Sequence, residues 1–271
     1  MQRIDSLDDP RVASYRNLRE RTLRGENLFI AEAALIVRRL IESNYDVESI
    51  FATEDHAQEL ENLTGGQIPV YVADKSLMVD IVGFPFHRGA LAVGRRHESP
   101  SLETVMQPLE HKSPLTLLIC PETTQAENLG MVFRTAAAFG VDAVLLGPKT
   151  CDPLCRRALR TSMGGVLRVP FIQSSDLNPD LRSLKERWAV QLAGTVLADN
   201  AELLPNIAWP DRVGLMLGNE FEGLRDEWLA LCDHKLTIPM APGTDSLNLG
   251  VAAGVFVYER MRGMLSQETK S

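Results

Sequence analysis

Three stretches of this 271-residue chain place polar side chains and glycines where a sheet-forming sequence should be apolar. The first, Asn128-Leu-Gly-Met-Val-Phe-Arg134-Thr-Ala-Ala-Ala-Phe-Gly140, follows an apolar run at Leu115–Cys120. Asn128 reads as a loop or cap residue and Arg134 as a cation projecting from the next helix; an N-cap with an exposed arginine is the plain alternative. The second, Leu215-Met-Leu217-Gly218-Asn219-Glu220-Phe-Glu-Gly223-Leu224, ends a buried strand in an amide and a carboxylate. Ligands of open α/β sheets bind at the carboxyl ends of strands, and glycine there lets a ligand approach the backbone. The third, Ile238-Pro-Met240-Ala-Pro-Gly-Thr-Asp-Ser246-Leu247-Asn248-Leu-Gly250, runs into an apolar helix ending near Arg262. Capping accounts for one of Ser246 and Asn248. It does not account for Ile-Pro-Met or for a glycine-bearing loop before so apolar a helix.

Several familiar chemistries have no support. GxGxxG after a strand, GxxxxGK[ST], HExxH and GxSxG are all absent. Cys151 and Cys155 lack a second pair and the five histidines are scattered, so no metal is expected.

The elements that must position these motifs alternate along the chain. Asp9-Pro10 opens a helix expected to carry the basic stretch 11–24. Helices are expected at Ala31–Ser43, Asp55–Leu63 and Asp74–Val82, with strands at Val47–Ala52, Ile68–Val72 and Ala90–Val93. Two prolines and many charges between 95 and 113 suggest a boundary. Residues 1–97 then form a small α/β domain, 98–112 a linker and 113–271 a second domain. In the last, strands at Leu115–Cys120, Val141–Leu146, Trp188–Ala193 and Val213–Leu217, with a helix at Ala126–Phe139, imply a mostly parallel sheet.

Composition narrows the class. Apolar residues make up 45% and charged residues 24%, as in a globular protein. The longest apolar run, about Val251–Tyr258, is too short to span a membrane. The N-terminus lacks a signal-peptide core, and four cysteines make no disulfide scaffold, so the cytoplasm is the expected location. The net charge of −8 argues on its face against a nucleic-acid partner. Its distribution argues otherwise: arginine is concentrated at 11–24 and 156–168, and an acidic block fills 42–61. Arginine-only clusters suit phosphate contacts, although solvated helix faces are the simpler reading of each. Arg16, Arg19, Arg156, Arg157 and Arg160 are the candidate phosphate contacts.

In order and spacing, NLGMVFRTAAAFG, LGNEFEGL and IPMAPGTDSLNLGVAAGVFVYE resemble the signature motifs of the SpoU/TrmH family of RNA ribose 2′-O-methyltransferases, of the SPOUT class. FIAEAALIVRRLIE and HRGALAV resemble that family's ribosomal-protein-like substrate-binding domain, although His87-Arg88-Gly89 stands where Gln-Gly is frequent. The resemblance implies a trefoil knot in the second domain, S-adenosylmethionine as cofactor, rRNA or tRNA as substrate, and a homodimer whose active site draws on both subunits. It matches Asn128, Arg134, Glu220, Ser246 and Asn248 to catalytic polar residues. Gly218, Ile238 and Leu247 match backbone contacts to the cofactor, with Thr195, Met240, Leu217, Asn219 and Gly223 completing that set. A SPOUT-fold protein that binds RNA without catalysis, or one that methylates a non-ribose acceptor, is the alternative.

Overall fold

The computed structural model describes residues 1–18, 23–198, 200–219, 221–243 and 246–268. The chain divides into two compact units, Met1–Glu98 with Leu154–Leu167, and Ser99–Pro153 with Arg168–Ser271.

The first unit begins with β1 (Gln2–Arg3), β2 (Leu28–Glu32), α1 (Ala34–Ile41), β3 (Val47–Ala52), α2 (Glu54–Thr64), β4 (Val70–Val72), α3 (Lys75–Val82) and β5 (Ala90–Arg95). Its five strands lie in the order β1-β4-β3-β5-β2, parallel on the β1-β4-β3 side and antiparallel around β5. Asp74 caps α3 by accepting from Leu77 N at 2.9 Å, and Gly83 ends the helix in the left-handed conformation.

Two expectations fail in this unit. Residues 11–24 do not form one helix: a 3-10 helix spans Pro10–Tyr15 with a non-helical Val12, and Arg24 starts a separate 3-10 turn. Burial of Val12 and Tyr15, three apart, suits the 3.0-residue period of that tighter helix. The helix expected at Ala31–Ser43 begins only at Ala34, because Leu28–Glu32 pairs with β5 as a fully buried strand.

The second unit contributes α4 (Leu102–Met106), β6 (Leu115–Cys120), α5 (Ala126–Phe139) and β7 (Ala143–Leu146). The chain then forms α6 (Arg156–Thr161), which belongs to the first unit. It continues through β8 (Phe171–Gln173), α7 (Leu177–Glu186), β9 (Gln191–Thr195), β10 (Glu202–Leu203), β11 (Arg212–Met216), α8 (Asp226–Leu229), β12 (His234–Thr237) and α9 (Leu249–Glu268). The seven strands are all parallel, in the order β10-β12-β9-β11-β6-β7-β8. Every residue of β6 and β7 is buried, as a parallel sheet covered on both faces requires. The stretch 98–112 is not a bare linker. Ser101 caps α4, and Leu102 and Met106 join Leu115, Leu181 and Trp188 in the core.

Candidate active site

In the second sheet β12, β9, β11 and β6 are consecutive neighbours, so the loops after their carboxyl ends crowd along one edge. Those loops begin at Ile238, Val196, Leu217 and Pro121. The first two motifs flank the β6–β11 pair. Leu217 N donates to Ile119 O at 2.9 Å, extending the pairing to the start of the second motif. The third motif leaves β12 and ends in α9.

A direct bond joins the first and third motifs, whose residues lie 120 positions apart: Asn248 Nδ2 donates to Asn128 Oδ1 at 2.8 Å. Asn128 is not the cap expected of it. It is buried in the first turn of α5, after the N-cap Gln125, and its Nδ2 donates to Gln125 Oε1 at 3.3 Å. Capping falls instead to Asn248, whose Oδ1 accepts from Gly250 N at 2.9 Å and Val251 N at 3.4 Å. One amide thus closes the head of α9 and holds α5. The helices also meet closely at Gly250, where a Cβ would fall 2.5 Å from Met131 Cβ.

The second motif folds back on itself. Asn219 N donates to Gly223 O at 3.0 Å, and Asn219 Oδ1 accepts from Phe221 N and Glu222 N at 2.9 and 2.6 Å. A Cβ on Gly218 would stand 2.8 Å from the Gly223 backbone, so this glycine is required by its own loop and not only by a ligand. Gly223 itself has φ +71°. Phe221 at the loop tip is 81% exposed. Glu220 lies outside the described residues.

The other expected residues gather at the same edge. Thr195 ends β9 and is half-buried, Leu217 is buried, and Ile238 and Met240 are half-buried after β12. Ser246 and Leu247 are exposed before α9. Arg134 lies on α5 six positions past Asn128, roughly 240° around the helix. It is exposed, with neither hydrogen bond nor ion pair among the described residues.

Sequence reasoning missed Glu122 and Thr123, which follow β6 after Pro121. Glu122 is buried and pairs with Arg225 and, at 3.2 Å, with Lys149. The Thr123 hydroxyl is buried and lacks a hydrogen-bond partner among the described residues. A carboxylate and a hydroxyl just past the carboxyl end of a buried parallel strand were the available signal.

The candidate RNA contacts divide. Arg156 is committed within the first unit: its guanidinium donates to Glu32 Oε2 at 2.8 Å and Leu18 O at 2.6 Å, and lies over the Phe84 ring. That corrects its expected role. Arg16 donates to Asp9 O at 2.8 Å. Arg157 is exposed on α6, Arg160 is partly exposed on the same helix, and Arg19 lies outside the described residues. Among the described residues no group of three His, Cys, Asp or Glu side chains could hold a metal ion. Nor is any of their helices long and apolar enough to cross a membrane.

Residues 116–258, which span all three motifs, match the SpoU rRNA Methylase family. The chain belongs to that family. It is 37% identical over 270 residues to an uncharacterized tRNA/rRNA methyltransferase of Mycobacterium bovis, covering 97% of this chain and 92% of the relative. It is 33% identical over 198 residues to RlmB, a 23S rRNA (guanosine-2′-O-)-methyltransferase of Acinetobacter baylyi, covering 73% of this chain and 80% of that one. Its fold is similar to that of the AdoMet-bound rRNA methyltransferase of Sinorhizobium meliloti, with a TM-score of 0.83 at 23% identity over 96% of this chain and 97% of the other. The family membership bears out the resemblance carried by the motifs, and with it the α/β fold class and the reading as an RNA methyltransferase.

Proposed function

We propose that the protein transfers a methyl group from S-adenosylmethionine to a ribose 2′-hydroxyl of rRNA or tRNA. The observation that carries this reading is the Asn248–Asn128 bond, which ties two family motifs together beside the third. S-Adenosylmethionine fits this edge. Half-buried Ile238 and Met240 and exposed Leu247 offer apolar contact, while the loops at Gly218 and Ile238 offer backbone groups. Thr195, Leu217, Asn219 and Gly223 complete the residues that would hold it, and we place the family's knot within residues 218–248. Bound there, the cofactor supplies a methyl carbon on a sulfonium whose leaving group is a neutral thioether.

A neutral leaving group requires no general acid. The chain's task is to align the hydroxyl and stabilise the alkoxide as its proton departs. Arg134 is the cation available for that alkoxide or the adjoining phosphate, either of which its planar donor fork matches. Glu220 orients it, and Ser246 and Asn248 set the head of α9. A second copy completes the site: Val251, Val255 and Tyr258 recur at helical spacing as exposed apolar residues and support a homodimer through α9. The cytoplasm, where rRNA and tRNA are modified, is the proposed location.

The test is transfer of labelled methyl from S-adenosylmethionine to total rRNA and tRNA, followed by mapping of the modified ribose. Label retained when the mapped nucleotide is 2′-deoxy would refute ribose methylation.

A further inference from the structure

In the first unit, one buried carboxylate gathers three guanidinium groups from distant parts of the chain. Glu32, the last residue of β2, is 4% exposed. Its Oε2 accepts from Arg156 Nη2 at 2.8 Å, while Arg88 Nε and Arg160 Nη1 stand 3.7 and 4.0 Å from its Oε1. A buried carboxylate must be answered by charge and hydrogen bonds. Arg156 meets that need and is itself fixed by Leu18 O and by the Phe84 ring, 4.4 Å from its guanidinium carbon.

Arg88 and Arg160 are different. Both lie beyond hydrogen-bond length from Glu32, and their side chains remain 48% and 40% exposed. Glu32 attracts them without saturating their donors. Three cations against one anion leave two positive charges in excess, half-exposed and drawn to one point.

The backbone beneath them is constrained. Ala33, next to Glu32, has φ +95°, a strained conformation for an L-residue with a side chain. It is held there by Ala33 N donating to Ala90 O at 3.0 Å and Ala34 N donating to Arg88 O at 3.2 Å. The strained residue and the Arg88 backbone therefore fix each other, and strain of this kind accumulates where a site must be preorganised.

We propose that Arg88 and Arg160, posed by Glu32, form a subsite for an RNA phosphodiester, an assignment that rests on RNA being the acceptor. Arg156 is the anchor that neutralises Glu32, and Glu32 is a positioning residue. Guanidiniums suit the role because their planar donor fork matches phosphate oxygens.

The experiment is filter binding of labelled total rRNA to the full-length protein across a salt series. Each single-stranded phosphate contact adds about 0.7 to the slope of log affinity against log salt. The Arg88→Gln/Arg160→Gln double variant, which loses that one phosphate contact, should show a slope shallower by about 0.7 and roughly tenfold weaker binding at low salt, with unchanged S-adenosylmethionine binding by calorimetry. Glu32→Gln sharpens the test, because bulk electrostatics and the subsite predict opposite signs. Removing a negative charge from the chain should tighten RNA binding if Glu32 is merely an anion nearby, and should weaken it if Glu32 poses the arginines. A wild-type slope in the double variant overturns the subsite, and tighter binding by Glu32→Gln overturns the posing role. If Glu32→Gln does not fold, the double variant alone decides. Wild-type protein that neither binds nor methylates rRNA or tRNA would instead sink the RNA reading itself.

Discussion

Arg134 and Arg260 sit on two helices packed against each other, α5 and α9, yet they inhabit opposite environments. Arg260 is 1% exposed. Its Nη2 donates to Asp211 O at 2.7 Å, its Nε to Thr116 Oγ1 at 3.3 Å, and its guanidinium carbon lies 5.6 Å from the Trp209 ring centre. Burial pushes its pKa below the ordinary arginine value. Arg134 is exposed, with neither hydrogen bond nor ion pair among the described residues. The difference teaches how to sort arginines in an acidic protein that handles RNA. Those whose donors go to backbone carbonyls, such as Arg260, Arg156 and Arg212, hold the fold. Those with donors to spare are available for phosphate or a developing oxyanion.

The comparison breaks most decisively at Arg134. Arg134→Ala should cut methyl transfer by roughly 10²–10³-fold, the cost of losing one preorganised donor to a transition-state oxyanion. Its melting temperature should stay within about 2 °C of wild type, as for an exposed helix position. Arg134→Lys keeps the charge and loses the planar fork; near-wild-type turnover by that variant would remove any specific guanidinium role. Arg260→Ala should do the reverse. It removes one of the two donors to Asp211 O, which keeps its bond from Leu115 N, leaves the Thr116 hydroxyl without the Arg260 donor and opens a void beside Trp209. The expected cost is about 3 kcal/mol, or roughly 6–12 °C in Tm by calorimetry. An Arg260→Ala protein that melts normally would erase the distinction.

Gly218→Ala tests a position where packing and chemistry coincide. A Cβ 2.8 Å from the Gly223 backbone must displace the loop, at a cost of roughly 1–3 kcal/mol. S-Adenosylmethionine affinity measured by calorimetry should fall with it. Normal affinity in a destabilised variant would show that the glycine serves only its own loop.

Much of the second sheet was legible because its physics is local. A mostly apolar run bounded by Pro114 and Pro121 marks β6, and the left-handed Gly140 closes α5, so both were read to the residue. The strand at Leu28–Glu32 was not legible. It is apolar on both faces as far as Ala31 and passes through Glu32 and Ala33 into α1 without a glycine or proline to mark the turn. In the candidate site the motifs themselves were plain, but not how their amides divide the work: Asn248 caps α9 and Asn128 receives its bond. Arg156 was misread because its partner, Glu32, lies 124 positions earlier. No periodicity reports a contact of that sequence separation.

Arg11 falls between Arg134 and Arg260 and gives the finest test. It is exposed, yet its Nε and Nη2 grip Asp9 at 2.9 and 2.6 Å. That side-chain bond, with the bond from Arg11 N, holds the Asp9 carboxyl down at about 2, below its ordinary 3.8. A carboxylate with a depressed folded-state pKa adds stability above its unfolded value and loses it as pH falls through the folded one. Acid unfolding should therefore separate wild type from Asp9→Asn above about pH 4, and the two curves should converge as pH approaches 2. The gap should be the smallest of these effects, because solvent screens a pair on the surface. A gap as large as that of Arg260→Ala would mean that exposure does not sort the arginines. A constant gap at all pH values would assign Asp9 only the uncharged work of capping the 3-10 helix at Pro10–Tyr15.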